Sequence, residues 1–326
     1  MALPPNVSSA WTRRQALAAS LGVAGGLVGC QAPVPPLRVG SIIFPGYELL
    51  FLARELGLLP PDRLRLVEMN NNTDTLRALA LGRLEAAALT LDEVIRGRDQ
   101  GLDLRIVLVL DESAGADVVM VAPHIRSLAG LKGRRIGFEE GATGAVMMGA
   151  LLATAGLEVH QVVKVRIPLA ASVDAFYQQS LDAVVTIEPW ATQLEARGAR
   201  RVFDSSQTPG LIVDVLAVRA EVLDRSRDAL RALVTGHFEA LRRFRASPAS
   251  QAVALAPRLR LDPADVPAAF KGLDLPDAEA NRRWLAPQGL LSQSAERLGG
   301  MLHSEGLIRS AASLVQLGDP SCLPAP

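Results

Sequence analysis

The residues with the clearest potential for chemistry are three acids that lie beside short apolar runs. Asp111 and Glu188 come directly after predicted strands, and Asp214 lies near the start of another. Unpaired carboxylates facing a cleft would repel a simple anion, because a desolvated charge needs a partner. If two of these acids face a solute, it should carry an amine, an amidine or several N–H donors. The alternative is that each acid pairs with an arginine or caps a helix.

Two aromatic residues also stand at predicted strand ends. Tyr47 follows the turn Pro45-Gly46, and Trp190 comes directly after Glu188-Pro189. The chain has only 2 tyrosines and 3 tryptophans, so their positions are informative. Aromatic faces at two strand ends can hold an apolar or planar group between them. The alternative is that Tyr47 packs on its own helix and Trp190 belongs to a core.

A glycine-containing turn, Gly141-Ala142-Thr143-Gly144, opens a predicted helix. Backbone N–H groups at such a turn, together with the helix dipole, can hold an anion. Equally, the segment can be a tight turn in which Thr143 is an ordinary N-cap. The glycine spacing and the absence of a lysine do not match a P-loop or a dinucleotide-binding motif.

No pattern for catalysis or metal binding is visible in the sequence. The histidines are scattered, without a second ligand at helical or hairpin spacing, at His124, His160, His237 and His303. No nucleophile elbow is present. We therefore expect no metal, no cofactor and no enzymatic activity, and we expect the histidines to be surface or partly buried helix residues.

The elements that position these residues repeat at a spacing of 97 residues. Arg38-Val39-Gly40 returns as Arg135-Ile136-Gly137, and Leu84-Glu85-Ala86-Ala87 returns as Leu181-Asp182-Ala183-Val184. The period is too long and occurs too few times for a solenoid. The repeat predicts two similar βα lobes with a cleft between them.

The strand order predicts an α/β protein with lobe 1 at residues 37–122 and 215–326, and lobe 2 at residues 123–214. A strand at Val213 to Val218 is expected to return to lobe 1, and a helical tail should pack on that lobe. Ligands of open α/β sheets bind where the loops after the strands converge. That rule nominates, with the acids and aromatics above, a set of solute-binding residues: Gly46, Tyr47, Thr90, Asp111, Ser113, Gly141, Thr143, Glu188, Trp190 and Asp214.

Composition excludes a nucleic-acid partner. The 326 residues are 49% hydrophobic and 4% aromatic, with 34 basic and 34 acidic residues and no basic stripe. A chain of this length can bury a large core. The composition is that of an ordinary globular protein.

The first 29 residues read as an export signal. Arg13 and Arg14 precede a short stretch of apolar and small residues that is broken by glycines and too short for a comfortable membrane span. Leu27-Val28-Gly29-Cys30 resembles the lipobox of bacterial lipoproteins, which implies that Cys30 carries a lipid. The arginine pair resembles a twin-arginine signal, although two arginines are also common in other signal peptides.

The cysteine content is consistent with export and lipid anchoring. The chain contains 2 cysteines, and a lipidated Cys30 would leave Cys322 without a partner, so we expect no disulfide. Residues 30–36 then form a short, proline-rich tether to the membrane.

Several short segments in a fixed order carry a resemblance to a known family. They are Phe44-Pro45-Gly46-Tyr47-Glu48, Ala53-Arg54-Glu55-Leu56-Gly57-Leu58, Leu81-Gly82-Arg83-Leu84-Glu85-Ala86-Ala87, Asp111-Glu112-Ser113-Ala114-Gly115-Ala116-Asp117, Leu128-Ala129-Gly130-Leu131-Lys132-Gly133 and Glu188-Pro189-Trp190. Over roughly Arg38 to Arg219 the chain resembles the solute-binding lipoproteins of ABC importers for sulfonate, nitrate, taurine and thiamine precursors. That family shares its domain with fungal thiamine-pyrimidine synthases.

The resemblance implies a two-lobed periplasmic-binding fold of type II that closes by a hinge around one small solute. It implies an extracytoplasmic, lipid-anchored monomer that delivers a sulfonate, taurine, nitrate or thiamine-pyrimidine precursor to an ABC permease and its ATPase. One alternative is a lipoprotein that senses its ligand without transport. An enzyme like the fungal synthases is disfavoured, because no histidine falls on a strand-end loop of the first lobe.

Overall fold

The structure is a computed structural model that describes residues 35–139, 143–188, 190–309 and 314–325. The predicted signal segment 1–29, Cys30 and Gly141 lie outside the described residues. The strands are β1 (Leu37–Ser41), β2 (Leu64–Glu68), β3 (Ala86–Thr90), β4 (Leu104–Ser113), β5 (Val118–Val121), β6 (Arg135–Phe138), β7 (Val163–Arg166), β8 (Ala183–Thr186), β9 (Arg200–Asp204), β10 (Val213–Arg219) and β11 (Leu273–Asp274).

The α-helices lie between and after these strands. They are α1 (Glu48–Glu55), α2 (Asn72–Ala80), α3 (Leu91–Asp99), α4 (Thr143–Ala155), α5 (Leu169–Tyr177), α6 (Trp190–Glu195), α7 (Arg227–Ala246), α8 (Pro248–Leu259), α9 (Val266–Ala269), α10 (Ala278–Trp284) and α11 (Leu290–Ser304). None of the described helices is both long enough and apolar enough to span a membrane.

The first sheet has six strands in the order β11-β4-β10-β3-β1-β2. Strand β1 pairs in parallel with β2 and β3, whereas β10 is antiparallel to both β3 and β4. Strand β3 is buried along its whole length. Such continuous burial is expected for a central strand covered on both faces.

The second sheet repeats this plan with five strands in the order β7-β6-β8-β5-β9. Strand β6 pairs in parallel with β7 and β8, and β5 is antiparallel to β8 and β9. Apart from the additional β11, the two sheets therefore have the same strand order. The antiparallel strand, β10 or β5, lies beside the third strand of its lobe, β3 or β8.

Each sheet obtains its antiparallel strand from the other half of the chain. Strand β5 follows β4 in sequence but lies in the second sheet, and β10 follows β9 but lies in the first. The crossing into the second sheet thus lies between Ser113 and Val118, which corrects the sequence-based boundary at 122 and 123. The sequence gives no signal there, because an all-apolar strand such as Val118–Val121 fits the centre of either sheet.

The 97-residue repeat corresponds to a repeated structural unit. The guanidinium of Arg38 donates to Glu85 at 2.9 Å and to the Gly82 carbonyl at 2.8 Å. The guanidinium of Arg135 donates to Asp182 at 3.0 Å and to the Gln179 carbonyl at 2.8 Å. In both lobes this ion pair ties the start of the first strand to the turn before the third strand.

A glycine in each first strand makes the same close contact. A Cβ on Gly40 would lie 2.4 Å from Leu84 Cδ1, and a Cβ on Gly137 would lie 2.6 Å from Leu181 Cδ1. Each leucine therefore fills the space left by the missing side chain. The repeat in the sequence records packing as well as strand pattern.

The helical tail packs mainly on the first sheet, as the sequence predicts. Helix α7 lies against α1, where a Cβ on Gly236 would be 3.4 Å from Ala53 Cβ. The amide of Asn281, on α10, exchanges hydrogen bonds of 2.7 and 3.1 Å with the backbone of Val109 on β4. The end of α11 also reaches the second lobe, because a Cβ on Gly149 would lie 2.4 Å from Glu305 Oε1.

Candidate functional site

A cavity lies between the two sheets, where loops that follow the strands converge. Its volume of about 70 Å³ exceeds several-fold the roughly 10–15 Å³ that one water molecule needs. The lining residues, which come from both lobes, are Ile42, Phe44, Tyr47, Asn72, Thr90, Asp117, Glu139, Thr143, Gly144, Leu169, Val185, Thr186, Ile187, Ile212 and Asp214. This is the position at which open α/β sheets bind ligands.

One wall of the cavity is a pair of aromatic side chains from the loop after β1. The rings of Phe44 and Tyr47 meet edge to face, with centroids 5.1 Å apart. The buried Tyr47 hydroxyl donates a hydrogen bond to Asp214 Oδ1. Burial, followed by the nearby Asp214 carboxyl, raises the pKa of Tyr47 well above its usual value. Tyr47 therefore remains a neutral donor that orients Asp214.

Sheet pairing places Asp214 in the middle of a polar row. In the register of β10, Asp214 lies opposite Thr90 on one side and Asp111 on the other. Residues directly opposite each other in adjacent strands present their side chains on the same face. Two carboxyl groups are thus held side by side at the floor of the cleft.

The two carboxyl groups share a hydrogen bond when Asp214 is protonated. Within the described chain no N–H or tyrosine O–H donates to Asp111, so the proton of Asp214 is the donor available to it. Burial raises the pKa of Asp111 to about 7. Burial, followed by the Asp111 charge, raises the pKa of Asp214 well above its usual value. The resulting chain of donors runs from Tyr47 to Asp214 to Asp111.

The glycine before Tyr47 is required by Asp111. A Cβ on Gly46 would lie 1.8 Å from Asp111 Oδ2, so any larger residue would displace the carboxyl group. Gly46 itself does not line the cavity. Its part in the site is to leave room for Asp111.

A third carboxyl group, that of Asp117, enters the cavity from the segment that joins the sheets. Burial raises the pKa of Asp117 to about 6, while a hydrogen bond from Ser113 lowers it. The Ser113 hydroxyl also accepts from the backbone N–H of Asp117 at 3.1 Å and contacts Ser205 Oγ at 2.7 Å. The sequence suggests that Asp117 shapes the turn into the crossing strand. The structure adds a position in the cavity wall.

Two further acids lie under the floor, at the start of α3. Glu93 accepts a hydrogen bond of 3.0 Å from the backbone N–H of Thr90, which caps the helix. Burial, followed by the neighbouring Asp92 charge, raises the pKa of Glu93 well above its usual value. Burial also raises the pKa of Asp92.

The second lobe contributes the opposite wall. Burial raises the pKa of Glu139, which follows β6. Gly144 packs tightly there, because an added Cβ would lie 2.5 Å from the Glu139 carbonyl oxygen. Thr143, the first residue of α4, also lines the cavity. Since Gly141 lies outside the described residues, the anion nest that was expected at 141–144 stays a prediction.

Of the predicted solute-binding residues, the structure places Tyr47, Thr90, Thr143 and Asp214 in the cavity wall. Glu188 does not line it. Its carboxylate accepts from the Thr192 backbone N–H at 3.2 Å and lies 3.8 Å from Arg201, which matches the alternative role of capping and pairing.

Two more predicted binding residues serve the protein framework. Trp190 packs on the core of the second lobe, so it forms no aromatic sandwich with Tyr47 in this cavity. Ser113 is buried in the segment that joins the sheets and is occupied by Ser205 and Asp117. Neither position was distinguishable by sequence, because both residues follow strands as binding residues do.

Sequence reasoning did not nominate Asn72, the first residue of α2, which follows the polar turn after β2. Asn72 is 8% exposed and lines the cavity, and its Oδ1 has no hydrogen-bond partner in the described chain. The run Asn70-Asn71-Asn72 after a predicted strand was the available signal. Because Asn71 caps α2, only the fold shows that Asn72 is the residue facing the cavity.

The described part of the cavity wall is acidic. Among the described residues that line it, Asp117, Asp214 and Glu139 are ionisable acids and none is lysine or arginine. No group of histidine, cysteine or acidic side chains in the described part of the chain is placed to hold a metal ion. The arrangement is suited to binding a donor-rich solute.

His237 lies away from this site and differs from the sequence expectation. It is fully buried on α7, and neither ring nitrogen has a hydrogen-bond partner in the described chain. Burial lowers its pKa to about 3, so the ring is neutral at ordinary pH. It packs edge to face on Phe238 as an apolar residue would.

Comparison with known proteins relates this geometry to a family. The sequence model of the NMT1-like family matches residues 30–256. A relative in Escherichia coli K12, which bears the name of an aliphatic sulfonates-binding protein, is 27% identical over 193 residues. That match covers 57% of this chain and 60% of the relative, so the chain is matched to less than two thirds of the relative's length.

Solved structures share the fold at low sequence identity. The alkanesulfonate-binding protein SsuA of Xanthomonas axonopodis pv. citri, bound to MOPS, superposes with a TM-score of 0.73 at 18% identity, over 88% of this chain and 99% of that one. The periplasmic aliphatic sulphonate binding protein SsuA of Escherichia coli gives 0.73 at 19%, over 87% and 97%. The fold is therefore that of the periplasmic binding proteins.

Proposed function

The chain belongs to the NMT1-like family, and from that membership we propose that it is the solute-binding component of an ABC importer. It captures a small solute outside the cytoplasm and delivers it to the permease and its ATPase. The observation that carries this proposal is the cavity between the sheets, whose walls come from both lobes and contain buried polar side chains. The names of the relatives, which describe binding proteins for sulfonates, support it.

The mechanism is closure about the two segments that join the sheets. The segment between β4 and β5 is tied to the one between β9 and β10, where Gly115 N donates to Ser205 Oγ at 2.7 Å and Ser205 N donates to the Asp117 carbonyl at 2.9 Å. Such short paired connections allow rotation of whole lobes while each sheet stays intact. A solute that touches both walls stabilises the closed arrangement, and the closed form is the one that the permease accepts.

The export signal and the lipid on Cys30 belong to the same proposal. A lipid on Cys30, followed by the proline-rich tether 30–36, would keep the receptor close to the permease that it serves. The protein would act as a monomer in the periplasm or at the cell exterior. Signal processing at Cys30 and the export route are to be read from the mature protein by mass spectrometry.

A thermal-shift screen tests the binding function. The chain from residue 36 onward, which forms one compact unit, is mixed with taurine, alkanesulfonates, nitrate, thiamine-pyrimidine precursors and simple amines. A solute at a thousandfold excess over its dissociation constant adds about 4 kcal/mol to the free energy of unfolding, which is a clear shift. We expect at least one solute to give it.

A matched pair of variants ties any shift to the cavity. Asn72→Leu removes an acceptor in the cavity wall and should abolish most of the shift, whereas Asn70→Leu changes an exposed residue of the same turn and should keep it. A screen in which no solute stabilises the protein, or in which both variants behave alike, would contradict the proposed function.

A further inference from the structure

We propose that the cavity takes its solute by a cationic N–H group, an amine or amidine, held between Asp214 and Asp117 on one wall and Glu139 on the other. This inference rests on the proposed function and names the class of solute for the same site. It differs from what the sulfonate-binding relatives suggest. Three observations support it: the acidic side chains of the described cavity wall, the buried oxygens that lack a donor, and the hydrogen-bond chain from Tyr47 through Asp214 to Asp111.

The charges that face the cavity floor all have one sign. Asp214 contacts Tyr47 and lies beside Asp111 on β4, and the charges of Glu93 on α3 and of Asp117 act on it. Asp117 and Asp274 on β11 act on Asp111. No lysine or arginine is among the described lining residues. A sulfonate would find no lysine or arginine among the described lining residues, and burying its charge without a partner would be costly.

Among the described residues around the cavity, the buried side-chain atoms without a partner are oxygens, and those of Asn72 and Glu93 can only accept. Asn72 Oδ1 and Thr90 Oγ1 are buried in the wall without a partner in the described chain, and Glu93 Oε1 lacks a donor beneath the floor. The donor available to Asp111 is the proton of Asp214. A buried acceptor without a donor costs free energy, which a ligand recovers only by bringing a donor. The oxygens of a sulfonate or nitrate are themselves acceptors, whereas an ammonium or amidinium group brings two or more N–H donors.

The proton on Asp214 links binding to pH. In the unliganded protein that proton lies between Asp214 and Asp111, and Tyr47 donates to the other oxygen of Asp214. When a cation binds, the proton leaves to solvent and the cation takes its place beside the carboxylate. The cation thus replaces the proton beside the Asp214 carboxylate, and Tyr47 donates its hydrogen bond to that carboxylate before and after binding. Binding a cation should therefore release protons and strengthen as the pH rises.

Calorimetric titration at two pH values tests this inference. The probes are benzamidine and 1,4-diaminobutane as cations, with ethanesulfonate and taurine beside them. We expect the cations to bind about tenfold or more tightly at about pH 8.5 than at about pH 5.5, because the raised pKa values of Asp111 and Asp214 leave more of the pair protonated at the lower pH. Titrations in two buffers of different ionisation enthalpy should show net proton release.

Two isosteric variants assign the effect to Asp214. Asp214→Asn should weaken cation binding at least about tenfold and remove the pH dependence, since one lost charge-assisted hydrogen bond is enough for such a change. Glu188→Gln, at a strand end outside the cavity wall, should behave like the parent protein. If Asp214→Asn does not fold, Glu139→Gln gives the same test from the second wall.

The outcomes separate this inference from the proposed function. Ethanesulfonate or taurine binding more tightly than both cations, with affinity that falls as the pH rises, would overturn the cation inference and leave the receptor function standing. Cation binding that ignores pH and Asp214 would overturn it as well. If no probe of either charge binds and the thermal-shift screen is also blank, both proposals fail.

Discussion

At the scale of single residues, the acids around the cavity are costly for the unliganded fold. Asp111, Asp117 and Asp214 are buried, and burial raises the pKa of each. A group with a raised pKa in the folded state contributes stability below its unfolded pKa and loses it as the pH rises. Asparagine would fill the same volume without that loss. Buried acids whose pKa is raised beside a cavity are therefore candidates for a binding role.

Asp111→Asn should make this cost measurable. The pKa of Asp111 is raised from 3.8 to about 7, so its contribution to the stability of the parent protein is lost between those pH values. The variant has no carboxyl group to titrate at this position. Its free energy of unfolding, relative to that of the parent, should therefore rise by about 2–4 kcal/mol between about pH 4 and pH 8. Urea unfolding of both proteins at each pH measures it. Exposed Glu279→Gln serves as the control, and an equal effect at both pH values would contradict the assignment.

At the scale of elements, the two lobes are built from one unit with local differences. The turn before the third strand contains Gly82 at φ 66° in the first lobe and Gln179 at φ 56° in the second. Both residues give their carbonyl to the repeated arginine. A residue with a side chain is disfavoured at positive φ by roughly 1–2 kcal/mol, and glycine is not. The second lobe therefore carries a strain that the first avoids.

Gln179→Gly should relieve that strain. Gln179 is exposed, so little packing is lost, and we expect the midpoint of thermal unfolding to rise with a gain of about 1 kcal/mol. The mirror variant Gly82→Gln should destabilise, because it introduces the strain and places a Cβ 2.7 Å from Arg219 Nη1. Opposite signs are expected for the pair. A loss of stability in Gln179→Gly would show that the glutamine makes a contact worth more than the strain.

At the scale of the whole molecule, the exchange of strands makes one structure of two lobes. Strand β5 is given to the second sheet and β10 to the first, so neither sheet is complete without the other half of the chain. The connecting segments meet at Ser205, whose hydroxyl contacts Ser113 Oγ and accepts from Gly115 N, both at 2.7 Å. Stability and closure should therefore both depend on this contact.

Ser205→Ala should weaken the whole protein. It leaves the half-buried Gly115 N–H without its acceptor and removes one of the two partners of the Ser113 hydroxyl, which costs about 1–3 kcal/mol. Ser206→Ala, at the exposed neighbouring position, should stay within about 0.5 kcal/mol of the parent. Urea unfolding measures both, and the thermal shift with a bound solute reports closure. Equal stabilities for the two variants would show that the segments are not coupled through Ser205.

The sequence by itself determined the parts that depend on local pattern. The 97-residue repeat, the apolar strands and the strand-end rule predict two βα lobes, the return of the chain at Val213 and a site at the strand ends. Of the residues nominated for that site, Tyr47, Thr90, Thr143 and Asp214 line the cavity. These follow from periodicities of a few residues, and each lobe displays them independently.

Only the tertiary structure decided which of the polar residues meet. Register between distant strands sets Asp214 beside Asp111, and the crossing segment brings Asp117 into the wall, while Glu188 turns to Arg201. Asn72, at the start of α2, also lines the cavity, and the neighbouring asparagines do not distinguish it in the sequence. The pairing between distant strands decides which loops converge on the cavity. An all-apolar strand shows no local sequence pattern for that pairing, so similar strand ends cannot be distinguished from the sequence.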